Sequence, residues 1–216
     1  MCFNISIINS KDAIEKQLSA EFDLDLSFEP QKHISAFTNP QIPVITAENR
    51  NKIKLYNWGL IPEWVKDIQQ ANNIRKMTYN ARSETIKEKP SFSGLIKNRK
   101  CLIIVDGFYE WQSTPSGKIC HYLTLSQKEL FTFAGIWSDW LDKSTGELIK
   151  SVSIITQSAN QMMAKIHNIK KRQPVILHKE NRDKWFNSGL NYEKILNESF
   201  NIRLTNKIIE SPLKSY

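Results

Sequence analysis

A cysteine stands at position 2, and removal of Met1 would leave its α-amine and its thiol on adjacent carbons. Two nucleophiles so placed can add in turn to one carbonyl carbon. Three further stretches set polar side chains among apolar ones. In YNARSET (79–85), Asn80 and Arg82 are two residues apart, so an extended segment points both the same way, as a phosphate or carbonyl clamp requires. The same stretch also reads as a helix N-cap through Asn80 or Ser83. In DGFYEW (106–111), Glu110 follows the apolar run CLIIV and sits between Tyr109 and Trp111. Desolvation there would raise its pKa toward neutrality and suit a general acid or base; strand alternation could equally turn it to solvent. In KIHNIKKRQPVIL (165–177), His167 follows an apolar helix and precedes Lys170, Lys171 and Arg172. That is a catalytic histidine beside a phosphate-binding edge, or a helix C-cap favoured by the macrodipole. His33, His121 and His178 have no comparable surroundings and read as structural or surface residues. Cys2, Glu110 and His167 together hold the ingredients of nucleophilic catalysis, as in an N-terminal nucleophile hydrolase or a cysteine peptidase.

These groups need a scaffold to bring them together, and the pattern is one of many short strands. CFNISI, HISAFT, PVIT, KIKLYNWG, CLIIV, KICHYLTL, LFTFAGIW, KSVSIIT and PVIL read as strands, with NIRLTNKII as a last one. PVIT and KIKLYNWG pair across the polar ENRN turn, and STPSGK and DKSTGE are hairpin turns. Helices are expected from KDAIEKQLSAEF after a Ser10 cap, and from SETIKEK, SFSGLIKNR, SANQMMAKI and KENRDKWFNSG. KDIQQANNIRKMTYN reads as a loop with a helical turn. Strands at roughly ten-residue spacing with few long helices imply an α+β fold, a bent antiparallel sheet or open β-barrel with short flanking helices. No composition shift marks a boundary, so residues 1–216 are expected to form one domain, with disorder confined to the last few.

The net charge is +8, from 30 Lys and Arg against 22 Asp and Glu, which suits either a polyanionic partner or a lysine-rich solvated surface. Three cysteines without metal-ligand spacing do not make a secreted disulfide framework, and four scattered histidines do not make a zinc site. No metal or cofactor is expected. There is neither a signal peptide nor an apolar run near 18 residues, so a cytoplasmic protein with a free Cys2 thiol is expected.

The motifs taken in order are more specific than any one of them. Met-Cys at the start, then WGLIPEW, NARSET, DGFYEW, FAGIW, SIIT and a His before Arg-x-Pro resemble the SRAP (SOS response-associated peptidase) family over about residues 2–185. That family includes abasic-site processing proteins of bacteria and eukaryotes. The resemblance implies binding to single-stranded DNA at stalled forks, and a covalent crosslink between Cys2 and an abasic-site aldehyde through a Schiff base and then a thiazolidine. It implies prior removal of Met1, by autoprocessing or an aminopeptidase. Glu110 would shuttle protons and His167 would assist proton transfers at the sugar, including those of a lyase-type strand incision. Asn80 would hold the Cys2 terminus or the sugar, and Arg82 would grip a phosphate. Trp64 and Trp111 would stack against flanking bases. Pro40, and Thr156 at the end of SIIT, would lie along the DNA, as would Lys170 or Arg172. A monomer, nucleoid-associated if bacterial, is the expected state. The sequence departs from the family at two places. Phe3-Asn4 replaces a frequent Gly-Arg, and three extra residues separate His167 from Pro174. A cysteine peptidase, or an inactive DNA-binding module, is the alternative.

Overall fold

The stretch CLIIVDGFYEW breaks in two at Asp106, and that break places the reactive terminus. In the computed structural model, which describes residues 2–23, 27–126, 129–189 and 191–212, the run becomes two strands in different sheets. From the N-terminus the elements are β1 (Asn4–Ile7), α1 (Lys11–Leu18), β2 (Glu21–Phe22), β3 (Gln31–Ser35), β4 (Gln41–Thr46) and β5 (Asn49–Trp58). Next come α2 (Ile68–Arg75), β6 (Asn80–Arg82), β7 (Lys100–Val105), β8 (Gly107–Thr114), β9 (Gly117–Leu125) and β10 (Phe131–Leu141). The last are β11 (Leu148–Ser158), α3 (Gln161–Ile166), β12 (Arg172–Pro174), β13 (Ile176–Leu177), α4 (Lys179–Asn187), α5 (Glu193–Glu198) and β14 (Leu204–Ile209). Met1 lies outside the described residues, as do the last few residues, where disorder is expected.

Five strands close a barrel. β11 pairs with β10, β10 with β7, β7 with β4 and β4 with β5, all antiparallel, and β5 returns to β11 in parallel through Ser151 opposite Asn57 and Val152 opposite Trp58. The expected open barrel is therefore closed, which removes the edges of those strands. The seam is parallel, and no local sequence signal marks it. Trp58, Ile103, Phe133, Ile136, Val152 and Ile154 are wholly buried, each contributing about 1.5–3 kcal/mol of apolar transfer.

The second sheet runs β14-β9-β8-β1-β3. Asp106 makes its corner by accepting from the backbone N–H groups of Ile8 (2.6 Å) and Asn9 (3.0 Å). Those bonds hold the end of β1 against the start of β8. Gly107 is needed in this corner, since a Cβ would come within 2.5 Å of the Tyr122 hydroxyl, which in turn bonds Ser6 Oγ at 2.8 Å. Gly107→Ala should push Tyr122 off Ser6 and cost about 1–3 kcal/mol by overpacking. Thermal melts should then fall by about 2–4 °C per kcal/mol for a chain of this size. An unchanged melting temperature would show that the corner has slack.

Several local expectations change. SETIKEK and SFSGLIKNR form successive turns rather than helices: the Thr85 carbonyl accepts from Glu88 and Lys89, and the Phe92 carbonyl from Leu95 and Ile96. Pro90 separates the two segments, lacking an N–H and disfavouring helical backbone at Lys89. α2 is more regular than a helical turn because Asp67 caps it, accepting from Gln70 N at 2.8 Å. Ser10 does cap α1, but that helix stops at Leu18 and Phe22 falls in β2. HISAFT is a strand only through Ser35, followed by a 3-10 turn over Ala36–Thr38. The hairpins at STPSGK and DKSTGE are as expected, with Gly117 and Gly146 at positive φ.

Candidate active site

Cys2 lies two residues before the start of β1, and β1 lies antiparallel to β8 with Ile5 opposite Phe108 and Ser6 opposite Gly107. That register leads the start of the chain along the Tyr109–Trp111 segment. A cleft of about 210 Å³ opens there, lined by Phe3, Asn4, Glu110, Trp111, His167 and Lys170 among others. Cys2 itself is wholly buried at its edge. Its Sγ lies 3.8 Å from the Asn4 carbonyl, and its own carbonyl accepts from Asn80 Nδ2 at 2.9 Å.

Burial dominates the electrostatics. It pushes the Cys2 thiol well above the usual thiol range, and the Glu110 carboxylate adds to the push, so the two groups feel one another. Glu110 is 4% exposed, and burial raises its pKa from the usual 4.5 to about 7. Glu110 therefore faces inward. At neutral pH the site holds a protonated thiol beside a carboxyl poised to give or take a proton.

Asn80 reaches Cys2 because β6 joins β11 in parallel, with Asn80 opposite Ile154 and Arg82 opposite Thr156. The first half of NARSET is thus a strand and Ser83–Thr85 a turn, with no helix for its residues to cap. Asn80 Oδ1 is buried and has no hydrogen-bond partner among the described residues, leaving an acceptor beside the terminus. Arg82, on the same face two residues on, is exposed.

His167 caps α3, its N–H bonding the Met163 carbonyl at 2.7 Å. The extra residues before Pro174 fold into a tight loop with Lys171 at φ 48°, so His167 Nδ1 meets the Arg172 backbone, 3.1 Å from its N and 3.0 Å from its O. Asn168 ties the loop to β8 through both backbone groups of Ser113, at 3.1 and 2.8 Å. Burial lowers the His167 pKa below its usual 6.5, with Lys170 and Arg172 acting the same way. The ring is therefore neutral at physiological pH and able to take a proton.

The family is decided by sequence. The model for SOS response associated peptidase (SRAP) matches residues 1–208. This chain belongs to the SRAP family. Among its SRAP relatives, the abasic site processing protein YoqW of Bacillus subtilis is 33% identical over 189 residues, 87% of this chain and 80% of that protein. The abasic site processing protein HMCES of Gallus gallus is 32% identical over 148 residues, 59% of this chain and 43% of that one. A crystal structure of a Bacteroides thetaiotaomicron protein superposes with a TM-score of 0.89 at 34% identity, covering 97% of this chain and 92% of that one.

Within this SRAP chain, Glu110, His167, Trp111 and Lys170 share the cleft with the residues that follow Cys2, and Asn80 reaches Cys2 through its carbonyl. Two residues expected along DNA are internal instead. The Arg172 guanidinium, 8% exposed, grips Glu84 at 2.5 and 2.8 Å and the Thr156 carbonyl at 2.8 Å. Thr156 is wholly buried, with its hydroxyl 3.2 Å from Arg172. The pair braces β12 against β11, and Arg172, with Ser158, holds the Glu84 carboxyl down at about 2. Of the two cations considered for the family's arginine position, only Lys170 faces the cleft. Trp64 is exposed but lines a separate hollow with Pro90 and Arg99. Pro40 is half-buried, its carbonyl accepting from Trp58 N at 2.8 Å. Lys118, near the start of β9 and opposite Ser113, is a cleft cation that its sequence context does not reveal. His121, opposite Glu110 on β9, is buried and bonded to Asn206 (3.0 Å) and Gln112 (3.3 Å), in keeping with a structural role. Among the described residues no His, Cys, Asp or Glu cluster is placed to hold a metal, and no helix is long and apolar enough to cross a membrane.

Proposed function

We propose that this protein processes abasic sites in single-stranded DNA by crosslinking Cys2, freed of Met1, to the sugar aldehyde. The observation that carries this reading is the placing of Cys2 against a carboxyl whose pKa is about 7. The α-amine adds to C1′ to give a carbinolamine. Glu110 donates its proton to the hydroxyl, water leaves and a protonated imine remains. Sγ then adds to the imine carbon while the thiol proton passes to the Glu110 carboxylate, closing a five-membered thiazolidine and restoring the acid. The raised thiol pKa makes that last acceptor necessary, because the free thiolate is scarce near neutrality. Ring closure is intramolecular, so its effective concentration is high and the adduct persists. At the imine stage neutral His167 can remove a C2′ proton and expel the 3′ phosphate, a lyase branch that competes with ring closure. The relatives named as abasic site processing proteins support this choice over a peptidase.

Arg82, Lys118 and Lys170 would meet the DNA backbone. Arg82→Ala should weaken binding to single-stranded DNA and flatten the dependence of log K on log salt by about 0.7. Fluorescence anisotropy from 50 to about 200 mM salt measures the slope. A slope equal to wild type would remove Arg82 from the phosphate contacts. The reading as a whole is tested by incubating the protein with abasic-site single-stranded DNA and looking for an adduct that survives a denaturing gel. None should form with undamaged DNA.

A further inference from the structure

Phe37 is 64% exposed, yet the turn that carries it is tied at both ends. Ser35 Oγ accepts from Phe37 N at 3.4 Å, and Thr38 Oγ1 donates to the Ser35 carbonyl at 2.9 Å. Asn39 takes the left-handed conformation at φ 51°, and its Oδ1 accepts from the Tyr79 hydroxyl at 3.2 Å. A loose loop would let the ring fold down onto apolar surface; this one holds it out. Phe3 lies beneath it with ring centroids 5.1 Å apart and planes 32° from parallel. Tyr79 meets both rings edge-on, at 6.1 Å from Phe3 and 5.8 Å from Phe37. The Ala36 N–H bonds the Phe3 carbonyl at 2.8 Å, fixing the two segments together.

A single exposed phenylalanine is ordinary on a protein surface. This one is continuous with the site. Phe3 follows Cys2 directly and lines the cleft with Glu110 and His167. Tyr79 leads into Asn80, which holds the Cys2 carbonyl, and into the exposed Arg82. A shelf of aromatic rings thus begins at the reactive residue and ends in solvent, with a cation three residues from its edge-on tyrosine. That is the pairing a nucleotide needs, a π-face for the base and a positive charge for its phosphate.

We propose that Phe37, backed by Phe3 and Tyr79, is a stacking subsite for the nucleobase adjoining the abasic sugar. The subsite rests on the crosslinking reading for its choice of ligand. Its energy is that of base–aromatic stacking, and a purine, with the larger face, is held better than a pyrimidine.

The test uses single-stranded oligonucleotides carrying a tetrahydrofuran abasic analogue, which has no aldehyde and cannot crosslink. The neighbouring position on each side in turn is adenine, thymine or a second tetrahydrofuran, and affinity is read by anisotropy. Deleting the base on one side should weaken wild-type binding between about fivefold and about 150-fold, with adenine ahead of thymine. Phe37→Ala should bind the base-containing DNA as weakly as wild type binds the base-less DNA, and should no longer distinguish the neighbours. Phe37→Tyr should restore both affinity and discrimination, which a merely structural defect would not do. A Phe37→Ala protein that still senses the neighbouring base overturns the subsite, as does a wild type indifferent to it on both sides. Absence of a covalent adduct with natural abasic DNA would instead sink the crosslinking reading while leaving this binding result to stand.

Discussion

Cys2→Ala should form no adduct with abasic-site DNA that survives denaturing electrophoresis, under conditions where the wild type is converted to a slower band. Alanine at position 2 keeps a primary α-amine once Met1 is removed, so the imine can still form and still hydrolyse. What the variant lacks is the sulfur that closes the ring. Two further outcomes follow from the same geometry. Borohydride should trap the Cys2→Ala imine, because the amine and the Glu110 carboxyl are unaltered. Strand incision should rise relative to crosslinking, since the imine can no longer be drained into the thiazolidine and stays open to β-elimination. A stable adduct at wild-type yield would overturn the thiazolidine mechanism outright. Intact-mass measurement of the wild type bears on the same point: a protein that keeps Met1 has no free amine on Cys2.

How much of this could be read from the sequence depended on whether the signal was local. Strand alternation and turn residues were enough for β4–β5 and for the hairpins at Gly117 and Gly146, because their partners are near in sequence. The barrel seam was not legible, since Asn57–Trp58 pair with Ser151–Val152 across more than ninety residues and in parallel. The inward turn of Glu110 was open for a related reason. A strand pattern shows which residues alternate but not which face is covered. Arg172 shows the opposite failure. In a run of three basic residues nothing marks one as internal, and only the Glu84 carboxylate and the Thr156 carbonyl draw it in. Phe37 was read as part of a strand, whereas it sits in a 3-10 turn that Asn39 ends in the left-handed conformation.

Glu110→Gln should slow adduct formation by about a hundredfold or more, within the range for loss of a positioned acid–base group. Its pH profile should change shape as well. In the wild type the rate rises as the α-amine loses its proton, with a reference pKa of about 8. It then falls as Glu110, with a pKa of about 7, ceases to be a proton donor. The product of the two is a bell with its maximum between them. Glutamine neither donates nor titrates, so the variant should keep the rising limb and lose the falling one. A variant within about threefold of wild type, or one whose rate still falls at high pH, would remove Glu110 from proton transfer, since that role is worth at least about a hundredfold. The same pKa makes a prediction for stability that does not depend on DNA. A carboxyl raised from 4.5 to about 7 in the folded state holds its proton where the unfolded chain has lost it. Below pH 4.5 both states are protonated and the group contributes no pH dependence. Between 4.5 and about 7 the wild type loses stability as pH rises, by on the order of a few kcal/mol, and above that the deficit is constant. Glu110→Gln, which has no charge to bury, should gain on the wild type across that window in melts taken pH by pH. The folded protein thus gives up stability near neutrality to keep a carboxyl half-ionised beside the Cys2 thiol. That cost is understandable if one group must supply a proton in dehydration and accept another in ring closure.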